Sequence, residues 1–348
     1  MLTFYSDTHR LHHGRAELID GEMKPCFEMP SRADQVLAQV RAVGLGEVRA
    51  PNDYGRPPIE AVHAPAYVDF LERAWRDWRA LGRTHDALPL VWPVRGLRTD
   101  RIPSSIDGQL GYYSMDAGVP VTAGTWQAVY HSAQVALSGA ESLSGGAAAV
   151  FALCRPPGHH AAADLMGGYC YLNNAAIAAQ SLRDRGAARV LVLDVDYHHG
   201  NGTQSIFYRR ADVCFVSLHG DPAVEYPFFL GHADEHGEGE GLGFNHNFPL
   251  PHGTAWAGYG AALERALALG RAFRPDAVVV SLGVDTFEQD PISRFRLVSE
   301  DYRRMGERIA GLGCPTLFVL EGGYAVAAVG VNVVNVLEGF EQAAGREP

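Results

Sequence analysis

One local arrangement recurs along the chain. A short, continuous run of Val, Leu, Phe or Ala stops abruptly in a cluster of His, Asp, Glu, Gly or Tyr. Leu2–Tyr5 leads to Ser6-Asp7, Ala148–Leu153 to Arg155-Pro-Pro-Gly-His-His160, and Val190–Leu193 to Asp194-Val-Asp-Tyr-His-His-Gly-Asn201. Val213–Leu218 precedes His219-Gly-Asp221, Ala277–Leu282 precedes Gly283-Val-Asp285, and Pro315–Leu320 precedes Glu321-Gly-Gly-Tyr324. Runs of this length without polar alternation predict strands buried on both faces, as in a parallel sheet. Between them, periodic apolar residues predict helices. Ser31 is placed to cap one carrying Val36, Leu37, Val40 and Val43, and others are expected over 65–81, Thr125–Leu143, Asn173–Arg185, Thr254–Arg271 and Ser299–Leu312. Strand–helix alternation implies βαβ crossovers and a single α/β domain spanning residues 1–348. Ligands of such sheets bind beyond the carboxyl ends of the strands, where the polar clusters fall.

Composition narrows the function. With 348 residues the chain has room for two domains, but no repeat, charge block or Ser/Gly linker divides it. An apolar fraction of 47% excludes a disordered chain. Forty acidic against 29 basic residues give a net charge of −11, the opposite of a nucleic-acid-binding footprint and suited to a cationic ligand. Cys26, Cys154, Cys170, Cys214 and Cys314 form no C-x-x-C pair, which predicts free thiols in a reducing, cytoplasmic setting. No apolar run is long enough for a membrane span, and the first residues lack the pattern of a signal peptide. Two stretches break the alternation. Residues 84–124, rich in Pro, Gly and aromatics, are expected to form a long ordered loop, and Gly231–Gly241 a polar glycine-rich one.

The chemistry gathers at the strand ends. Residues at i and i+2 of an extended segment point the same way, so Asp196 and His198 can grip one ion, with Asp285 closing the set from another strand end. Two carboxylates and one imidazole suit a catalytic divalent cation with an open position. The Pro-Pro-Gly turn fixes His159 and His160, either of which can move a proton as a neutral imidazole. Asp194 and Asn201 are placed to orient one ring each. An Asp partner favours the imidazolium and an Asn partner does not, so the two histidines are expected to differ in basicity. Tyr324, after two glycines, can donate to a developing oxyanion.

Taken together, Cys154-Arg-Pro-Pro-Gly-His-His160, Gly167-Gly-Tyr-Cys-Tyr-Leu-Asn-Asn174, Leu193-Asp-Val-Asp-Tyr-His-His-Gly-Asn-Gly202, Ser281-Leu-Gly-Val-Asp285 and Leu320-Glu-Gly-Gly-Tyr324 resemble the histone deacetylase/arginase-fold superfamily, specifically its bacterial acetylpolyamine amidohydrolases. The resemblance spans essentially the whole chain. It implies an eight-stranded, mainly parallel α/β sheet and hydrolysis of N-acetylated polyamines or diamines to amine and acetate. It places zinc, with Fe2+ or Co2+ as alternatives, on Asp196, His198 and Asp285, the general base on His160, its electrostatic partner on His159 and the oxyanion donor on Tyr324. It further implies structural K+ or Na+ at Asp194, Asp196, His198, Ser217 and Leu218, and at Phe207, Arg210 and Val213. Tyr169, Tyr226 and Ile292 align with the walls of an acyl-amine channel. The stretch 84–124 resembles the insertion that mediates homodimer formation and narrows the channel mouth, and Asp107 and Asp116 within it are candidates for a distal ammonium. Gly118 stands where relatives can carry a further acidic residue.

Rival readings leave marks that can be checked. His232-Ala-Asp-Glu-His236 spells a zinc-peptidase pattern, but flanking glycines argue against the helix that pattern needs. A binuclear ureohydrolase would want a second Asp where Phe287 stands. A protein-lysine deacetylase would share the chemistry but require an open mouth. A metal-free binding module would have little use for an intact ligand set, base and tyrosine.

Overall fold

The computed structural model describes residues 1–19 and 21–345. Its strands are β1 (Leu2–Phe4), β2 (Glu17–Ile19), β3 (Glu22–Lys24), β4 (Val48–Arg49), β5 (Ala149–Ala152), β6 (Val190–Asp194), β7 (Val213–Gly220), β8 (Asn245–Leu250), β9 (Ala277–Leu282) and β10 (Thr316–Leu320). Its helices are α1 (Ser31–Ala42), α2 (Pro57–Glu60), α3 (Pro65–Ala80), α4 (Ile106–Tyr112), α5 (Thr125–Ser144), α6 (Asn174–Asp184), α7 (Asn201–Phe207), α8 (Trp256–Phe273), α9 (Ser299–Ala310) and α10 (Val326–Ala344). Eight strands form one sheet in the order β4-β1-β5-β10-β9-β6-β7-β8, every pairing parallel, while β2 and β3 form a separate antiparallel hairpin.

Side-chain alternation divides the core into two layers. Val150 and Ala152 of β5, Val190 and Val192 of β6, and Leu317 and Val319 of β10 pack against α3, α5 and α6. Their neighbours Phe151, Leu191, Leu193, Phe318 and Leu320 pack against α1, α8, α9 and α10. Continuous apolar runs are therefore required: each residue faces one helical layer or the other.

The order of the strands positions the site. From β5 the chain skips two places to β6 and runs outward through β7 and β8. It then returns as β9 and β10 into the gap between β6 and β5. The loops after β5, β6, β9 and β10 thus converge at a reversal of strand order, the place where open α/β sheets hold ligands.

Several local expectations are corrected. Ser31 is the first residue of α1, preceded by Pro30, and its hydroxyl makes no capping bond. The stretch 84–124 is not all loop. Ser105 caps α4 within it, accepting the Gly108 N–H at 3.3 Å, and Ala87 bridges Val121. Among the described residues no helix is long and apolar enough to cross a membrane.

Candidate active site

Strand β6 ends at Asp194, and the chain then turns rather than staying extended. Asp194 Oδ1 accepts the Asp196 N–H at 3.1 Å, and Asp196 Oδ1 accepts the His198 N–H at 2.9 Å. Asp196 and His198 therefore converge through side chain-to-backbone turns, not through the pleat of a strand. From the end of β9, Asp285 Oδ1 accepts the Tyr197 N–H at 2.7 Å and Oδ2 lies 3.0 Å from His198 Nδ1. Ligand atoms of Asp196, His198 and Asp285 all fall within 4.8 Å of one another.

Both carboxylates are fully buried. Burial, and then the charge of Asp196, push the Asp285 carboxyl up to about 8. Three buried carboxylates, Asp194, Asp196 and Asp285, share two imidazoles, His198 and His159, and so call for a further positive charge. A Cβ on Gly322 would stand 2.5 Å from Asp196 Oδ2 and 2.6 Å from Asp285 Oδ2, so only glycine lets the backbone of that loop close over both groups. Its N–H donates to Asp196 Oδ2 at 2.8 Å. The donor set fits a divalent cation with an oxygen/nitrogen preference.

The loop after β5 carries the paired histidines. His159 Nδ1 lies 3.0 Å from Asp194 Oδ2, and His160 Nδ1 lies 2.7 Å from Asn201 Oδ1. Burial opposes charge on His159, but Asp196 and Asp194 outweigh it and lift the imidazole to about 10. Burial, reinforced by His159 and His198, holds His160 well below the ordinary imidazole range. Glu321 Oε2 accepts the N–H groups of Gly158 at 2.6 Å and His159 at 3.1 Å, tying this loop to the end of β10. Arg32 donates to the carbonyls of Gly323 at 2.6 Å and Glu321 at 2.5 Å, and its guanidinium lies 4.6 Å from the centre of the Tyr324 ring. Burial keeps the Tyr324 phenol protonated, as a donor must be.

A cavity of about 460 Å³ opens from these groups. His160, His198 and Tyr324 line it together with Tyr169, Tyr226, Ile292, Asp116, Gly118, Glu17, Glu225 and Arg294. Tyr226 donates to Asp116 Oδ2 at 2.6 Å, and its ring centre lies 5.0 Å from that of His160. Gly168, at φ +51°, passes so near His160 that a Cβ would stand 2.4 Å from the ring.

Asp107 is not at this cavity. It sits on α4, its carboxylate held by Arg83 at 2.6 and 3.0 Å, and faces a second hollow lined by Val91, Trp92, Leu97 and Arg101. Asp116 does line the cavity, but it already accepts the Gly118 and Gly168 N–H groups besides the Tyr226 hydroxyl. Burial raises its carboxyl. Ser217 pairs in register with Asp194, beside Leu218, while the Phe207 carbonyl accepts the Arg210 N–H at 2.9 Å just before Val213 opens β7. His232 and His236 lie in irregular backbone on either side of a turn at Ala233-Asp234, with Glu235 accepting the Gly231 and His232 N–H groups, so the peptidase pattern has no helix. Sequence reasoning did not single out Glu17 and Glu225, which line the cavity, or Glu321, which ties the histidine loop to the end of β10. Glu321 sat inside a quoted motif, whereas Glu17 comes from the isolated hairpin and carries no local signal.

A parallel α/β sheet whose carboxyl edge gathers a buried Asp-His-Asp set, two histidines and a tyrosine defines a hydrolase built around a divalent-metal site. The histone deacetylase domain matches residues 26–340, and the chain belongs to that family. It is 65% identical to acetylpolyamine amidohydrolase 2 of Pseudomonas aeruginosa, over 98% of this chain and 99% of that one. It is 50% identical to the acetylpolyamine amidohydrolase of Mycoplana ramosa, over 97% and 99%. The crystal structure of the acetylpolyamine aminohydrolase of Burkholderia pseudomallei superposes with a TM-score of 0.94 at 44% identity, covering 99% of both chains.

Proposed function

We propose that this chain is a zinc-dependent amidohydrolase that removes acetate from slender N-acetylated diamines and polyamines, of the acetylputrescine, acetylcadaverine and acetylspermidine type. The observation that carries the reading is the combination of a buried Asp196-His198-Asp285 set with a cavity walled by Tyr169, Tyr226 and Ile292 and bearing Glu17, Asp116 and Glu225. Carboxylates along an apolar channel suit a chain with a neutral acetamide at one end and ammonium groups at the other.

Asp196, His198 and Asp285 would hold the zinc ion, which when bound would supply Lewis-acid polarisation; Fe2+ or Co2+ would serve the same donors. His160 takes a water's proton at Nε2, because Nδ1 is held by Asn201, and returns it to the departing amine. His159, kept charged by Asp194 and Asp196, adds a fixed positive charge beside it. Tyr324 donates its phenolic O–H to the oxygen that becomes negative. Asp194, Asp196, His198, Ser217 and Leu218, and separately Phe207, Arg210 and Val213, are assigned to structural K+ or Na+. The insertion 84–124 is assigned to channel narrowing and to a homodimer contact. Its exposed Leu90, Val91, Val94, Leu97 and Ile102 supply an apolar face for that contact. Five free thiols suit a reducing cytoplasm.

The test compares turnover of acetylputrescine, acetylcadaverine, acetylspermidine and an acetyl-lysine peptide, with and without a chelator. The small amines are expected to turn over faster and only with metal. A faster peptide would overturn the substrate class, and activity in full chelator would overturn the metal.

A further inference from the structure

Asp290 lies in the loop after β9, between Asp285 and the channel-wall residue Ile292. It is 7% exposed and is absent from the lining of the cavity. All of its carboxylate bonds go to backbone amides. Oδ2 accepts the N–H of Tyr324 at 2.7 Å and of Ala325 at 3.3 Å, and Oδ1 accepts the N–H of Ile292 at 3.1 Å. One carboxylate therefore joins the segment that carries the phenol to the segment that carries the channel-wall residue Ile292. Ala325 immediately precedes α10, so the carboxylate also faces the positive end of a 19-residue helix. Burying a carboxylate is costly: burial raises this one to about 6, and the amides of Tyr324, Ile292 and Ala325 offset that only in part. A side chain that only filled space at this point would not need two accepting edges.

We propose that Asp290 is a positioning residue for the hydrolysis. It fixes the Tyr324 backbone against the Ile292 wall and thereby sets where the phenol meets the acyl oxygen of a substrate held in the channel. The inference rests on the assignment of Tyr324 as oxyanion donor. Its competitor is a capping role for α10 alone, which would stabilise the protein without acting through the phenol.

The experiment is a double-mutant cycle on zinc-loaded protein with an acetylated diamine: the parent, Asp290→Asn, Tyr324→Phe and the pair. Asparagine keeps the shape but turns an NH2 toward one of the two sets of amides. Melting temperature and bound zinc are recorded for each protein, and Asp290→Ser replaces Asp290→Asn if the latter does not fold. The expected result is a fall in kcat of about tenfold or more with Tyr324 present, shrinking to less than about twofold in the Tyr324→Phe background. Equal losses in both backgrounds, or no loss in either, would overturn the inference while leaving the phenol's role intact. Full turnover by Tyr324→Phe alone would remove the donor assignment itself, and the positioning role with it.

Discussion

His160 Nδ1 lies 2.7 Å from the carboxamide oxygen of Asn201, a neutral partner, although the adjacent imidazole is paired with a carboxylate. A neutral acceptor orients the ring and leaves Nε2 free without favouring the imidazolium. Asn201→Asp preserves the shape and adds a charge that does favour it. The base must be neutral in the free enzyme, so raising its basicity moves the acidic limb of the kcat/KM profile to higher pH. The expected outcome is such a shift, with activity lost most at and below neutrality. A pH–rate profile superimposable on the parent's would remove His160 from the role of base.

Tyr324 is nearly buried, touches the cavity and keeps its proton. Removing only its hydroxyl leaves the ring, its contact with Tyr169 and the backbone bond to Asp290 in place. Tyr324→Phe is expected to lower kcat by about 10²–10³ with little change in KM, the size seen when one oxyanion donor is lost. Steady-state kinetics on an acetylated diamine checks this, and a loss confined to KM would point to substrate binding instead.

The parallel sheet was legible because β5, β6, β7, β9 and β10 are buried on both faces and so are written as unbroken apolar runs. The edge strands were not. Val48–Arg49 is two residues long, and Asn245–Leu250 mixes Asn, His and Pro on an edge that needs no second apolar face. Helix α10 was missed for another reason: Val326–Ala344 is rich in β-branched valine and buried around much of its surface, so neither propensity nor periodicity marks it. The Asp196, His198 and Asp285 cluster stood out because these residues follow strand ends. Glu17 and Asp290 did not, because what they touch depends on which loops the fold brings together. Asp107 misled because a charge in an insertion carries no sign of which side it faces.

Removing the metal is expected to destabilise the protein as well as silence it. Asp196 and Asp285 are fully buried, and without a cation they are left with His198, backbone amides and, for Asp196, His159, which Asp194 also claims. Chelated protein should therefore melt at a lower temperature than zinc-loaded protein, and added zinc should restore both stability and turnover. Asp285→Asn, which removes the like-charge repulsion, should melt higher than the chelated parent while staying inactive. An unchanged melting temperature on chelation would argue that these residues hold no ion in the folded protein.

The buried Glu28 offers a test of stability. It accepts Arg32 at 2.9 Å and Arg155 at 2.7 and 2.9 Å, and all three side chains are almost fully buried. Through Arg155 it braces the start of the histidine loop, and through Arg32 the carbonyls next to Tyr324. Burial alone would raise its carboxyl, but Arg155 and then Arg32 outweigh burial and hold it at about 2, against 4.5 for an ordinary glutamate. The native state thus binds this proton less readily than the unfolded chain does. Its contribution is complete above pH about 4.5 and is lost as pH falls toward about 2. His63 adds to the same trend earlier: it is buried, accepts the Asn173 N–H at 2.9 Å, and burial lowers it from 6.5 to about 4. Unfolding free energy should therefore be insensitive to these two groups above pH about 6.5 and decline in two stages below it. Glu28→Gln leaves two buried guanidiniums without their anion and should cost about 3–5 kcal/mol at neutral pH. Because that variant lacks the titrating group, its stability should also lose the decline between pH 4.5 and 2 that Glu28 supplies to the parent. Urea titrations of parent and variant across this range measure both effects, and parallel curves separated by a constant would assign the acid sensitivity to other groups.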